Sequence, residues 1–167
     1  MIRTIKTFDH WLQVLTTFLH YVSNGLLFFI MLMISFDVIW RNIFNRPLTG
    51  AFEMTELGSA LLVFFSLAIT HQYKEHISIG FIVDKMSAKV KGLVLGIIEI
   101  GIFIILIVMS NQLFSNAARV MGRNTTTSDL SLPIYPFLYL SAFAAIVFAF
   151  VALSSGLKYW IKAVDKS

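Results

Sequence analysis

Four long apolar stretches constrain this chain more than any other feature. Residues 11–36 contain no Asp, Glu, Lys or Arg, and residues 26–34 are apolar without interruption. A second run covers residues 57–73, and a third covers 92–118 with Glu99 as its one charge. The fourth covers 130–157, with Pro133 and Pro136 near its start, where a helix tolerates proline. A membrane-crossing helix needs about 20 predominantly apolar residues at a rise of about 1.5 Å each. Each run meets that length, the second by recruiting 51–56 as its first turns. The fold class predicted is all-α integral membrane, one domain over 1–167 with spans at about 17–41, 51–73, 92–117 and 133–157. Only 13% of the residues are charged, about half the share in a soluble domain. The net charge of +4 is modest, and no basic block interleaved with aromatics suggests a nucleic-acid partner.

Lysine and arginine set an expected orientation. An even number of spans puts both termini and the middle loop on one side, with Arg3, Lys6, Lys74, Lys85, Lys89, Lys91, Lys158, Lys162 and Lys166. Opposite them stand only Arg41, Arg46, Arg119 and Arg123. The positive-inside rule then predicts cytoplasmic termini. Arg3 and Lys6 ahead of an apolar stretch also resemble the start of a signal peptide, but no small-residue cleavage site follows. An uncleaved helix is expected.

Two segments have the pattern of helices lying in the headgroup plane. Over residues 2–16 and into the first span, Ile5, Phe8, Leu12, Leu15 and Leu19 recur at helical spacing, with Arg3, Lys6, Asp9 and Gln13 on other faces. Between spans two and three, Ile79, Ile82, Val83, Met86 and Val90 form a similar stripe.

Small residues mark helix faces that invite close approach. Ala142, Ala145, Ala149, Ala152 and Gly156 are spaced 3, 4, 3, 4 along span four. Gly92 and Gly96 form a G-x-x-x-G pair on span three, with Glu99 nearly on the same face. Packing within the four-helix bundle is the expected use of these seams, and a second subunit the alternative.

Ionisable groups in or at the edge of the membrane each require a partner. Asp37 and Arg41 stand four apart on one face, and Glu53 and Glu56 three apart in the first turn of span two, where the helix dipole favours negative charge. Because only residues 42–50 separate these clusters, Arg41 or Arg46 is expected to meet Glu53 in one ion network of Asp37, Arg41, Arg46, Glu53 and Glu56. Glu99 falls about 10 Å inside the Lys91 boundary at 1.5 Å per residue, and is expected to be satisfied by a neighbouring helix or a partner. His20 and His71 are the pair that would ligate a haem between spans one and two, if the chain held one. No phosphate loop, metal-ligand spacing or nucleophile–base arrangement occurs, so no catalytic residue, metal or cofactor is expected.

The first hairpin carries a family resemblance. Span one ends Asp37-Val38-Ile39-Trp40-Arg41-Asn42-Ile43-Phe44-Asn45-Arg46-Pro47-Leu48, followed after Thr49-Gly50-Ala51-Phe52 by Glu53-Met54-Thr55-Glu56-Leu57. The middle turn reads Lys74-Glu75-His76-Ile77. This resembles the small, DctQ-like membrane subunit of TRAP (tripartite ATP-independent periplasmic) transporters in length, span number, the Arg-x-x-Phe-x-x-Pro turn, the acidic start of span two and the His-Ile turn. The resemblance implies a large multi-helix membrane subunit as partner, carrying the substrate and sodium sites on a moving elevator. It also implies a periplasmic substrate-binding protein, membrane lipids around the complex, and residence in the bacterial inner membrane. The substrate implied is an organic acid such as a C4-dicarboxylate or a sialic acid. The small subunit would be a static scaffold, with Arg46, Arg119, Arg123 and Asp129 on its outer loops as docking candidates for the binding protein. Two rival functions are a stand-alone proton-coupled transporter working through Glu99 or Glu53, and a haem-bearing electron-transfer subunit.

Overall fold

The computed structural model describes residues 2–73 and 88–165. They form four helices: α1 (Ile2–Phe44), α2 (Ala51–Gln72), α3 (Ala88–Gly122) and α4 (Tyr135–Asp165). All four are long and apolar enough to cross a membrane, and the chain is an all-α membrane protein. The stripe expected over 79–86 lies outside the described residues.

Local chemistry explains where the helices stop. Asn45 takes a left-handed conformation at φ 54° and its N–H bonds the Arg41 carbonyl at 2.9 Å, after which Pro47 bars further helix. Gly50, at φ 80°, opens α2. It also lies so close to the Leu130 side chain that a Cβ there would overlap it. The turn between α1 and α2 is thereby packed against the loop between α3 and α4. That loop reverses tightly, with Thr126 and Pro133 bridged and the Thr127 N–H bonded to the Leu132 carbonyl at 2.9 Å. Proline enters only before or within the first turn of α4, which begins at Tyr135.

The amino-terminal segment departs from expectation. Residues 2–16 are not separate from the first span: α1 is one helix of 43 residues. No glycine or proline precedes Gly25 to break it. Its buried side chains Leu12, Thr16, Leu19, Ser23 and Ile30 make one continuous stripe at heptad-like spacing, so Leu12 and Thr16 pack with the bundle like the span itself.

Helix α4 is the centre of the bundle. Its small-residue seam lies inward: Ala142, Ala149 and Ala152 are 0% exposed and Ala145 1%. One apolar cluster joins Leu19 of α1, Leu61 and Phe65 of α2, and Ala144 and Val147 of α4. A second joins Ala68 of α2, Leu106 of α3, and Phe148 and Ala149 of α4. Contact is most extensive between α3 and α4, then between α1 and α2, with α2 and α1 also meeting α4. Thus α4 lies between α3 and the α1–α2 pair, and 56% of its most apolar window is buried against 11% for α1. Gly92 and Gly96 are buried too. Gly96 receives the Trp160 indole so closely that no Cβ fits, and Gly156 lies against Glu99, 3.1 Å from an ideal Cβ to the Glu99 Cβ. Close backbone approach is what such residues permit in a membrane, where apolar side chains gain little by leaving lipid.

Candidate functional site

The charged side chains that join elements collect at the two ends of the bundle, while between them Ser23 donates to the Leu62 carbonyl and Ser110 to the Ala142 carbonyl. At the end holding the 45–50 turn and the 123–134 loop, the loop end, Asp37 accepts from the Arg41 guanidinium at 2.8 Å and from the Leu48 N–H at 2.8 Å. The carboxylate therefore fixes both its own helix end and the turn that follows. Glu53 acts over a longer distance in sequence. Its Oε1 accepts the Asp129 N–H at 2.7 Å and its Oε2 the Leu130 N–H at 3.0 Å. A carboxylate holding two backbone donors is a charge-assisted, bidentate clasp. It ties the start of α2 to the loop between α3 and α4, and so joins the two hairpins.

This arrangement corrects the expected single ion network. Arg41 pairs with Asp37 and not with Glu53, because the hairpin brings Glu53 under the other loop. Glu56 and Arg46 are exposed and take part in neither clasp. Arg119, Arg123 and Asp129 are also exposed at this end, Arg119 bonding the Ser115 carbonyl of its own helix at 3.3 Å.

The opposite end is tied by side chain to side chain. Asp9 accepts a hydrogen bond from the Ser154 hydroxyl and pairs with the Lys158 ammonium at 2.9 Å, linking α1 to α4. Thr16 bonds Gln72 at 2.7 Å, linking α1 to α2. His71 Nε2 meets Glu99 Oε2 at 2.8 Å, linking α2 to α3, with only 9% and 12% of the two side chains exposed. Phe148 of α4 lies against the His71 ring, centroids 5.2 Å apart. Glu99 thus finds the neighbouring helix expected of it, and its partner is one of the two histidines considered for haem. His20 instead bonds Asn24 of its own helix.

Several of these residues escape a reading of motifs. Asp9, Thr16, Gln72, Ser154 and Lys158 belong to no recognisable pattern. A signal existed in charge alone: Asp9 is the only acidic residue before Asp37, and Lys158 the first cation after the fourth apolar run, at the same end of the molecule. Glu53 was conspicuous, yet its partners are the Thr127 hydroxyl and backbone groups of a distant loop, and no local side-chain pattern encodes them.

With this geometry in hand, the comparison with known families is decisive. A family model described as tripartite ATP-independent periplasmic transporters, DctQ component, matches residues 30–160. The chain belongs to this family. Comparison with curated proteins and with solved structures gave no match. The DctQ match takes in both clasps of the loop end and the His71–Glu99 pair, while Asp9 and Thr16 precede it. DctQ proteins work in TRAP transporters, with a large membrane subunit and a substrate-binding protein. Four apolar helices together with this family fit a multi-pass protein of the bacterial inner membrane.

Proposed function

We propose that this chain is the fixed, non-catalytic subunit of a sodium-coupled TRAP transporter for organic acids of the C4-dicarboxylate or sialic acid type. In this role it enlarges the stationary body against which the large subunit's elevator slides. The termini face the cytoplasm, consistent with the distribution of lysines, and the loop end faces the periplasm. There Arg46, Arg119, Arg123 and Asp129 help dock the substrate-binding protein, since a few exposed charges suffice to steer an encounter.

The observation that supports this reading is the double bracing of the helices. An element that moves in a transport cycle needs a hinge or two alternative packings. Here α4 is wedged between α3 and the α1–α2 pair, and side-chain bonds tie neighbouring elements at both ends. Such a bundle is suited to holding still.

Tagged wild-type chain, extracted from its native cells in mild detergent, is expected to bring down a large polytopic partner in stoichiometric amount. A clean homo-oligomer would contradict the scaffold role. Glu53→Ala is expected to lower the recovered partner and the substrate uptake together. Full assembly with lost uptake would instead give Glu53 a direct part in transport.

A further inference from the structure

The outward face of α1 carries a polar group where a lipid-facing helix should have none. Val14, Thr17, Tyr21, Asn24, Phe28 and Met31 recur at spacings of 3, 4, 3, 4, 3, and all six are exposed, Tyr21 to 70%. This seam is opposite the buried stripe of Leu12, Thr16, Leu19, Ser23 and Ile30. Depth follows from the helix beside it. α2 has 22 residues, about 33 Å at 1.5 Å each, which matches the hydrocarbon thickness of about 30 Å. The Ser23 hydroxyl donates to the Leu62 carbonyl at 3.2 Å, and Leu62 is midway between Ala51 and Gln72. Asn24 therefore stands exposed at the middle of the bilayer.

An amide at that depth has no water to bond, and acyl chains offer neither donor nor acceptor. Among the described residues Asn24 bonds only the His20 Nε2, at 3.3 Å, which uses one of its four hydrogen-bonding positions. Nor does His20 relay Asn24 to the interior, for its Nδ1 is buried and has no hydrogen-bond partner among the described residues. Next to Asn24, Gly25 is exposed, and a Cβ there would meet nothing within 4 Å. An amide that needs a partner, beside a glycine that lets a backbone approach, is the combination that joins helices within membranes.

We infer that the Asn24 seam of α1 is the surface on which a transmembrane helix of the large subunit docks, with Asn24 hydrogen-bonded to that helix at mid-bilayer. The inference rests on the scaffold reading above and adds the face and the residue that hold the partner. The rival face is on α3, where exposed Asn111 lines a groove of about 290 Å³ with Ile107, Ser110, Phe114 and Ile146. That groove has the weaker claim, because Asn111 is eight residues, about 12 Å at 1.5 Å each, from Arg119 at the loop end and so nearer the membrane edge than Asn24.

The test uses the full chain co-expressed with its large subunit in native membranes. A photoreactive benzoylphenylalanine replaces Tyr21 or Phe28 on α1, or Ile105 on the exposed side of α3. Adducts to the large subunit from Tyr21 and Phe28, and none from Ile105, are expected. Adducts from Ile105 alone would overturn the inference while leaving the scaffold reading intact. An adduct of two small subunits at Tyr21 or Phe28 would overturn it in favour of self-association. No large-subunit adduct at any position, with none co-purifying, would overturn both. In parallel, Asn24→Leu is expected to lower the co-purified large subunit about three- to tenfold, the range of one interhelical hydrogen bond, and Asn24→Gln to restore much of it. An unchanged complex with Asn24→Leu would show that lipid covers this face.

Discussion

The two ends of this bundle are held by different chemistry. At the loop end, carboxylates reach backbone: Asp37 holds the Leu48 N–H, and Glu53 holds the N–H groups of Asp129 and Leu130. At the end with the termini, side chains reach side chains across three pairs of helices, through Asp9 with Ser154 and Lys158, Thr16 with Gln72, and His71 with Glu99. The first kind of tie shapes loops that present a surface. The second fixes the helices relative to each other. The difference also sets their sensitivity. Both carboxylates are enclosed, Glu53 at 8% exposure and Glu99 at 12%, but Asp129 and Leu130 are exposed, so backbone donors released there can turn to water, whereas His71 is closed off by neighbouring helices.

Substitutions at the two ends should therefore differ in size. The largest effect is expected from Glu99→Ala, which leaves a buried histidine without its carboxylate. Breaking one partner of a buried pair costs about 3 kcal/mol, and the double change His71→Phe with Glu99→Leu should recover most of it, as read from unfolding midpoints in detergent. If single and double variants lose the same stability, the pair is no tie. Next comes Gly96→Ala, whose new methyl displaces the Trp160 indole and costs about 2 kcal/mol by overpacking, with the tryptophan fluorescence shifting as the ring moves outward. Unchanged emission and midpoint would mean that α3 and α4 are farther apart than described. At the loop end Glu53→Gln keeps one acceptor oxygen and is expected to lower the midpoint by a few degrees at most. A loss as large as that of Glu99→Ala would erase the proposed contrast. The smallest effect belongs to Arg41→Ala, since Arg41 is 61% exposed and surface ion pairs contribute little, so the midpoint should not move measurably.

Much of the architecture was legible because lipid imposes simple rules. Length without charge marks the spans, and small residues at heptad spacing mark where α4 is enclosed, as the burial of Ala142, Ala145, Ala149 and Ala152 shows. Less was legible in α1. Its first turns are amphipathic and so read as an interfacial segment, yet the unbroken helix places Leu12 and Thr16 in the same buried stripe as Leu19. Amphipathicity alone does not distinguish a helix lying on the membrane from one whose apolar side is covered by its own bundle. The charged residues were all conspicuous, but their pairings were not. Arg41 had two carboxylates within reach in sequence, and the hairpin geometry gave it Asp37 and sent Glu53 to a loop more than seventy residues away. Backbone partners leave no trace in side-chain patterns, which is why the clasp at Glu53 was invisible and the His71–Glu99 tie only half visible.

The central claim is that this subunit stays rigid while its complex transports, and the chain is well suited to a direct test because it contains no cysteine. Thr16→Cys and Gln72→Cys replace an existing contact between α1 and α2, and a short, reducible bifunctional thiol reagent can bridge them in an otherwise cysteine-free complex. Uptake by the reconstituted transporter would be measured before bridging, after bridging and after reduction. The scaffold account predicts the same uptake at all three stages. Uptake that stops on bridging and returns on reduction would contradict it, because α1 and α2 would then have to separate during transport.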